Sequence, residues 1–292
     1  MSESLRFTDI PRIFAEKPLG LVFILGEPDT GKTTLFKELA RAYLKAGLRV
    51  GLIDSDVGQS VIGPPTVVGM VMAEGSLPDL SHTQAIYFVG NNSPVGFTVE
   101  VVVGSKRMVD KAVEMHADTI IFNSSGLVAP PYGTVLKYNK FELLRPRYVI
   151  AIEKEDELSP IFSFLVNCWG IEVVHTRPAE EARKRSPEER AKYRQKKYLE
   201  YFKNASLREF EFDKLCLYPT NFLDRKMDTD LTGLLVGLQD ERWDTVAIGI
   251  IESVDANSVA IFAPYPDKVE IRGLVAGRIR LSRDGVEMRV RP

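Results

Sequence analysis

The segment Gly26-Glu27-Pro28-Asp29-Thr30-Gly31-Lys32-Thr33 matches the pattern G-x-x-x-x-G-K-[ST] in full. Its chemistry is phosphate binding. Backbone N–H groups of such a loop converge on phosphate oxygens, and the helix that follows adds the positive end of its dipole. Lys32 can reach the β- and γ-phosphates of a nucleoside triphosphate, and the Thr33 hydroxyl can ligate Mg²⁺. The nucleotide-binding set is therefore Gly26, Glu27, Pro28, Asp29, Thr30, Gly31, Lys32 and Thr33. A second constellation follows at Asp54-Ser55-Asp56-Val57-Gly58-Gln59. In an extended segment alternate side chains share a face, so Asp54 and Asp56 can point to one side. One carboxylate can support the metal together with Thr33, while the other accepts a proton from an attacking hydroxyl.

A third feature is charge. Between Arg183 and Lys203 stand nine basic and three acidic residues, in a chain whose formal net charge is -2. Arg190 and Arg194 are four apart and share a helix face, continued by Lys197 and Tyr201. An arginine pair folded over a phosphate site as a lid would neutralise a transferring phosphoryl group. The other reading of this helix is a solvated charged face.

These residues need particular elements to hold them. Residues 19–25 form a continuous apolar run of strand length, and 49–54 form another, the pattern of strands buried on both faces. The loop between them opens a helix over 32–46, with Leu35, Leu39, Ala42 and Tyr43 on one side. Further strands are expected near 85–89, 118–122, 147–152 and 171–175, with helices near 99–116, 134–144 and 157–168. That alternation predicts an α/β, P-loop NTPase fold, a mostly parallel sheet flanked by helices. Ser186-Pro187-Glu188-Glu189 starts the basic helix with a cap residue, a first-turn proline and acidic residues. From 204 the pattern becomes β, with runs at 231–236, 245–251, 258–262 and 269–271. The expected organisation is a P-loop domain over 1–203, its lid helix at about 186–203, and a small all-β domain over 204–292.

The 292 residues are 45% hydrophobic and 27% charged, ordinary for a globular protein, and no apolar run reaches the length of about 20 residues that spans a bilayer. With 38 basic against 40 acidic residues, nucleic acid must be met by a local patch and not by the whole molecule. Cys168 and Cys216 have no metal-type spacing and read as two isolated buried thiols. The amino terminus lacks a signal-peptide pattern. Together these suggest a soluble, intracellular protein. His82, His116 and His175 lie in unrelated contexts and read as structural. Asn139-Lys140-Phe141-Glu142 is a near miss to a guanine-reading motif, with Glu where Asp is expected, and it precedes a strand instead of following one. ATP is therefore favoured over GTP.

Several segments, in order, resemble the polynucleotide 5′-hydroxyl kinases of the Clp/Grc type, which act in RNA processing. Gly26 to Thr34 resembles the family's phosphate loop, which adds Thr34 to the nucleotide-binding set, and Asp54 to Ser60 resembles its D-x-D-x-G-Q signature. Tyr87 to Pro94 resembles its F-V-G-x-x-S-P loop, and Asn123 to Val128 its N-T-x-G-W-V clasp. Arg185-Ser186, Arg190, Arg194 and Tyr201-Phe202 resemble its arginine lid. The resemblance implies transfer of the γ-phosphate of ATP to the 5′-hydroxyl of single- or double-stranded RNA or DNA, with Mg²⁺, and RNA-processing proteins as partners. It makes Asp56 the general base, Lys32 and Thr33 the phosphate and Mg²⁺ contacts, and Arg190 and Arg194 the catalytic lid arginines, while Asp54, at the end of its apolar strand, joins Thr33 and Asp56 as a metal residue by position. Gln59, Ser93, Ser124, Gly126 and Leu127 fall on the acceptor side. Two departures stand out. Leu127 replaces the clasp tryptophan, removing an aromatic face worth about 1–3 kcal/mol per stacked base. Ahead of the phosphate loop there is a short lead-in where larger members carry a domain. A nucleotide-hydrolysing switch and a non-catalytic ATP-binding scaffold remain the alternatives.

Overall fold

In the computed structural model, β1 (Leu21–Gly26) is apolar along its length and covered on both faces, as a central parallel strand must be. The structure describes residues 5–17, 19–168, 170–179, 183–219, 231–266 and 268–288. A short helix, α1 (Ile10–Ala15), precedes β1. After it come α2 (Lys32–Lys45), β2 (Val50–Asp54), β3 (Val67–Ala73), β4 (Ala85–Phe88), α3 (Thr98–Glu114), β5 (Thr119–Asn123), α4 (Tyr132–Leu144), β6 (Tyr148–Ile152), α5 (Ser159–Cys168) and β7 (Glu172–Thr176). The lid helix is α6 (Pro187–Tyr201). The rest is β8 (Ser206–Glu211), β9 (Cys216–Tyr218), β10 (Leu234–Gln239), β11 (Thr245–Val254), β12 (Ser258–Ala263), β13 (Gly273–Leu281) and β14 (Glu287–Met288).

Strands β2, β5, β1, β6 and β7 are parallel neighbours in that order. One apolar layer packs α3, α4 and α5 on one face of this sheet, and a second packs α1 and α2 on the other. The register places Asp54 opposite Asn123, and Asn123 opposite Ile24. The carboxyl ends of three adjacent strands therefore deliver the phosphate loop, the acidic loop and the clasp to one place. Ligands of open α/β sheets bind at such a crevice.

The sheet does not stop at β2. β3 and β4 continue it antiparallel, and β11 continues it from β4 through the pair Thr245–Ile86 and a bond from Phe88 N to Thr245 Oγ1 at 3.1 Å. β10, β13 and β14 follow, with β12, β8 and β9 paired alongside. The β-rich region is thus an extension of the central sheet with its own apolar core. A fourth cluster, around Tyr198, Phe202, Phe88, Ile248 and Leu281, roots α6 in that extension. β3, with all but one residue buried, is not among the expected strands because an apolar run followed by no helix carries no α/β alternation. The expected strand at 269–271 does not form. β13 follows it, a run whose two glycines and two arginines hide the strand pattern. Cys216 is exposed on β9 and not buried as expected, because it lies on a short edge strand. The side chain of Cys168 lies outside the described residues. Among the described residues no helix is long and apolar enough to cross a membrane.

Candidate active site

The phosphate loop is a tight structure made by its small residues. Gly31 caps α2 at φ +93°, and a β-carbon there would stand 3.3 Å from the Phe7 ring. Conformation and space both require glycine. Thr30 Oγ1 donates to Glu27 O at 3.0 Å, and Lys32 Nζ donates to the same carbonyl at 2.5 Å. Lys32 is buried, and burial pushes its pKa down while Asp56, Asp29, Asp54 and Glu27 oppose that shift. The cation is held beside four carboxylates, which keeps a phosphate-binding charge in a dry place.

The two aspartates have different environments. Asp54 has no exposed surface and accepts hydrogen bonds at both oxygens. Asp56 N (3.0 Å) and Asn123 Nδ2 (2.9 Å) reach Oδ1, while Val61 N (2.6 Å) and Ile62 N (3.4 Å) reach Oδ2. Burial first, then Asp56, raises its pKa to about 6 against those bonds. It organises the loop. Asp56 is partly exposed, and its Oδ1 accepts from Gly58 N (3.3 Å) and Gln59 N (3.1 Å), while Oδ2 takes part in neither bond. One oxygen thus fixes the side chain through two loop amides.

Beneath them lie two lysines that sequence reasoning did not single out as site residues. Lys137 and Lys140 of α4 are fully buried. Lys140 Nζ donates to Ser55 Oγ at 2.7 Å, and Lys137 Nζ donates to Ser125 O at 2.6 Å. Burial lowers the pKa of Lys140 to about 7, opposed by Asp56 and Asp54. Burial, with Lys140 and Lys32 adding repulsion, drives that of Lys137 well down. One helix therefore supports the acidic loop and the clasp from below. In the sequence Asn139-Lys140 reads as a near miss to a guanine-reading motif; in the fold Lys140 supports the acidic loop.

The lid is docked on the phosphate loop. Arg190 Nη2 meets Asp29 Oδ2 at 2.7 Å, and Arg185 N donates to the same oxygen at 3.0 Å. Arg185 Nη1 reaches Gln59 Oε1 at 3.2 Å, and Tyr193 OH donates to Ser60 O at 2.8 Å. Arg190 Nε is buried with no partner among the described residues. Arg194, one turn further along the same helix, pairs with a different partner. Its Nε and Nη2 meet Glu287 of β14 at 2.6 and 2.9 Å. Arg185 and Asp29 were legible only as parts of motifs.

The acceptor-side residues divide. Gly58 lies against Asn92, where a β-carbon would be 2.6 Å from the Asn92 carbonyl oxygen, so Gln59 and the Ser93 loop are brought together. Gln59 Nε2 donates to Gly58 O at 2.8 Å, and Ser93 Oγ accepts from Val95 N at 3.2 Å. Ser124 is fully buried and donates to Ile24 O at 2.7 Å, which ties the clasp to β1. A β-carbon on Gly126 would lie 2.4 Å from Pro28 N, so clasp and phosphate loop touch there. Leu127 packs partly buried against the main core.

The sequence profile of the mRNA cleavage and polyadenylation factor CLP1 P-loop family matches residues 26–204, more than half of the chain. The chain belongs to that family. Family relatives include the polyribonucleotide 5′-hydroxyl-kinase of Pyrococcus furiosus, 27% identical over 95% of this chain and 92% of that protein. That of Methanocaldococcus jannaschii is 29% identical over 94% and 90%. The solved structure of wild-type Clp1p with Pcf11p superposes with a TM-score of 0.73 at 12% identity, covering 94% of this chain and 78% of that one. The fold is thus the family's, β-rich extension included.

Proposed function

We propose that the protein transfers the γ-phosphate of ATP to the 5′-hydroxyl of RNA or DNA. One observation carries this reading beyond nucleotide binding. The lid arginine Arg190 lies over phosphate-loop residue Asp29 with a buried, unspent Nε donor, on the same loop that places Lys32 among the carboxylates of Asp56 and Asp54. Lys32 and Asp56 are near enough for their charges to act on each other, which puts a phosphate-binding cation beside a proton acceptor. Full-length similarity to polyribonucleotide 5′-hydroxyl-kinases supports the same reaction.

In this reading Lys32 and the loop amides hold the β- and γ-phosphates, and Arg190 with Arg185 covers the transferring group. The 5′-hydroxyl lies against Asp56, whose Oδ2 takes the proton as the hydroxyl oxygen attacks phosphorus and the bond to the β–γ bridging oxygen breaks. Gln59 and Ser93 border the acceptor entrance. Ser124 and Gly126 shape it from behind. The donor set suits Mg²⁺, which takes few protein ligands and keeps several waters. The Thr33 hydroxyl would hold it, with Asp54 supporting that shell and fixing Asp56 through its backbone N–H, which leaves Asp56 Oδ2 to the proton. When bound, the ion neutralises charge on the phosphates. Incubation with γ-labelled ATP and matched 5′-hydroxyl RNA and DNA oligonucleotides tests the reading. Label should appear on the strand. Release of inorganic phosphate alone would make the protein a nucleotide hydrolase.

A further inference from the structure

The β-rich extension has no role in the chemistry above, yet it contacts the lid at a defined point. Arg194 of α6 makes a two-pronged pair with Glu287 at 2.6 and 2.9 Å, and the two side chains are only 16% and 26% exposed. Glu287 Oε1 also accepts from Asn92 Nδ2 at 3.0 Å. One carboxylate therefore joins three parts: the β13–β14 hairpin, the lid, and the loop that carries Ser93. The hairpin turn itself presses on α6. Gln195 Nε2 donates to Asp284 O at 3.1 Å. At Gly285 (φ +72°) a β-carbon would stand 2.8 Å from Gln195 O and 3.3 Å from Tyr198 Cβ. Beyond this point Tyr198 and Phe202 are buried among β-strand residues. α6 is thus a lever. Its root is fixed in the extension, its middle is tied at Glu287, and its tip reaches Asp29.

The two lid arginines differ in what they have left to give. Arg190 keeps a buried donor unspent. Arg194 commits Nε and Nη2 to Glu287, the charge-assisted fork that fixes geometry most firmly. We propose that Glu287 is a positioning residue for the transfer reaction. It holds Arg194 and Asn92 together, sets the height of the lid over the acceptor entrance, and makes Arg194 a brace that does not touch the transferring phosphoryl group. This rests on the kinase reading and assigns the β13–β14 hairpin a part in it.

The test compares the wild type with Glu287→Gln, Arg194→Met, and the exchanged pair Arg194→Glu with Glu287→Arg. Steady-state transfer is measured with ATP and a 5′-hydroxyl oligonucleotide, and amide hydrogen exchange is followed over 188–193. Loss of a largely covered charge pair should raise the oligonucleotide KM about tenfold in Glu287→Gln, between the cost of surface and buried pairs. The KM for ATP should stay within about twofold. Exchange at the lid tip should quicken, and the exchanged pair should recover most of the lost acceptor affinity. If Glu287→Gln is kinetically wild type, or if the exchanged pair unfolds like the wild type yet stays as impaired as Arg194→Met, the brace is wrong and Arg194 acts on the reacting group itself. If the wild type transfers phosphate to no acceptor, the kinase reading fails, and lid exchange alone decides the positioning role. Unchanged protection in Glu287→Gln then overturns it.

Discussion

Replacing Lys140 with methionine should make the protein more stable at neutral pH and less sensitive to pH. Lys140 is fully buried, and among the described residues its ammonium has one hydrogen-bond partner, Ser55 Oγ, with the Phe122 ring centroid 5.1 Å away. Burial takes its pKa from 10.5 to about 7. Between those values the unfolded chain holds a proton that the folded chain releases. Stability therefore climbs as pH rises from about 7 toward 10.5, and the full burden lies below 7. The difference corresponds to on the order of 5 kcal/mol. Methionine removes the titrating group, fills similar space and tolerates an aromatic neighbour. Ser55 keeps its own bond to Asn123 O at 3.1 Å, so no buried hydroxyl is stranded. Urea unfolding of both proteins between about pH 6 and pH 10 measures the effect. The stability advantage of Lys140→Met should be largest at the acid end and shrink by several kcal/mol toward about pH 10. A difference that stays constant across that range would refute the account.

Asp56→Asn should lower the transfer rate by about 10²–10⁴-fold, the usual worth of a general base, while ATP binding by calorimetry stays intact. Gly126→Ala puts a carbon 2.4 Å from Pro28 N, so the phosphate loop must move. Nucleotide affinity should fall about tenfold or more, without the loss of fold that circular dichroism would reveal. Arg190→Ala should cut kcat by about 10³-fold and leave the oligonucleotide KM little changed, which single-turnover kinetics can separate from product release. Because the acceptor is a polyanion, log affinity for a single strand should fall linearly with log salt, with a slope near -0.7 for each phosphate contacted.

What could be read from the sequence is what chemistry dictates locally. A phosphate loop needs its glycines, lysine and threonine at fixed spacing, and Gly26 to Thr33 occupy consecutive positions between one strand and one helix. Asp54 and Asp56 were equally legible, but the difference in their surroundings was not. It depends on Asn123, which register alone brings across from β5. Lys137 and Lys140 match no motif, and nothing in their spacing shows that both are buried beneath the site. Arg194 shared a helical face with Arg190, as expected, yet its partner lies 93 positions away on a two-residue strand. Ser124 matched a motif position and proved to be a hydrogen-bonded tie to β1. Local pattern identifies polar groups, and long-range pairing decides which of them are already bonded.

The seam between β4 and β11 has a practical consequence for anyone wishing to dissect this enzyme. A chain cut after α6 would leave the β4 backbone with an open edge, the kind of template on which other chains add. It would also strip Tyr198 and Phe202 of the strands that cover them. Such a fragment should aggregate instead of behaving as a minimal catalytic unit. The donor machinery, although it lies wholly in the first two thirds of the polypeptide, is not portable without the remainder.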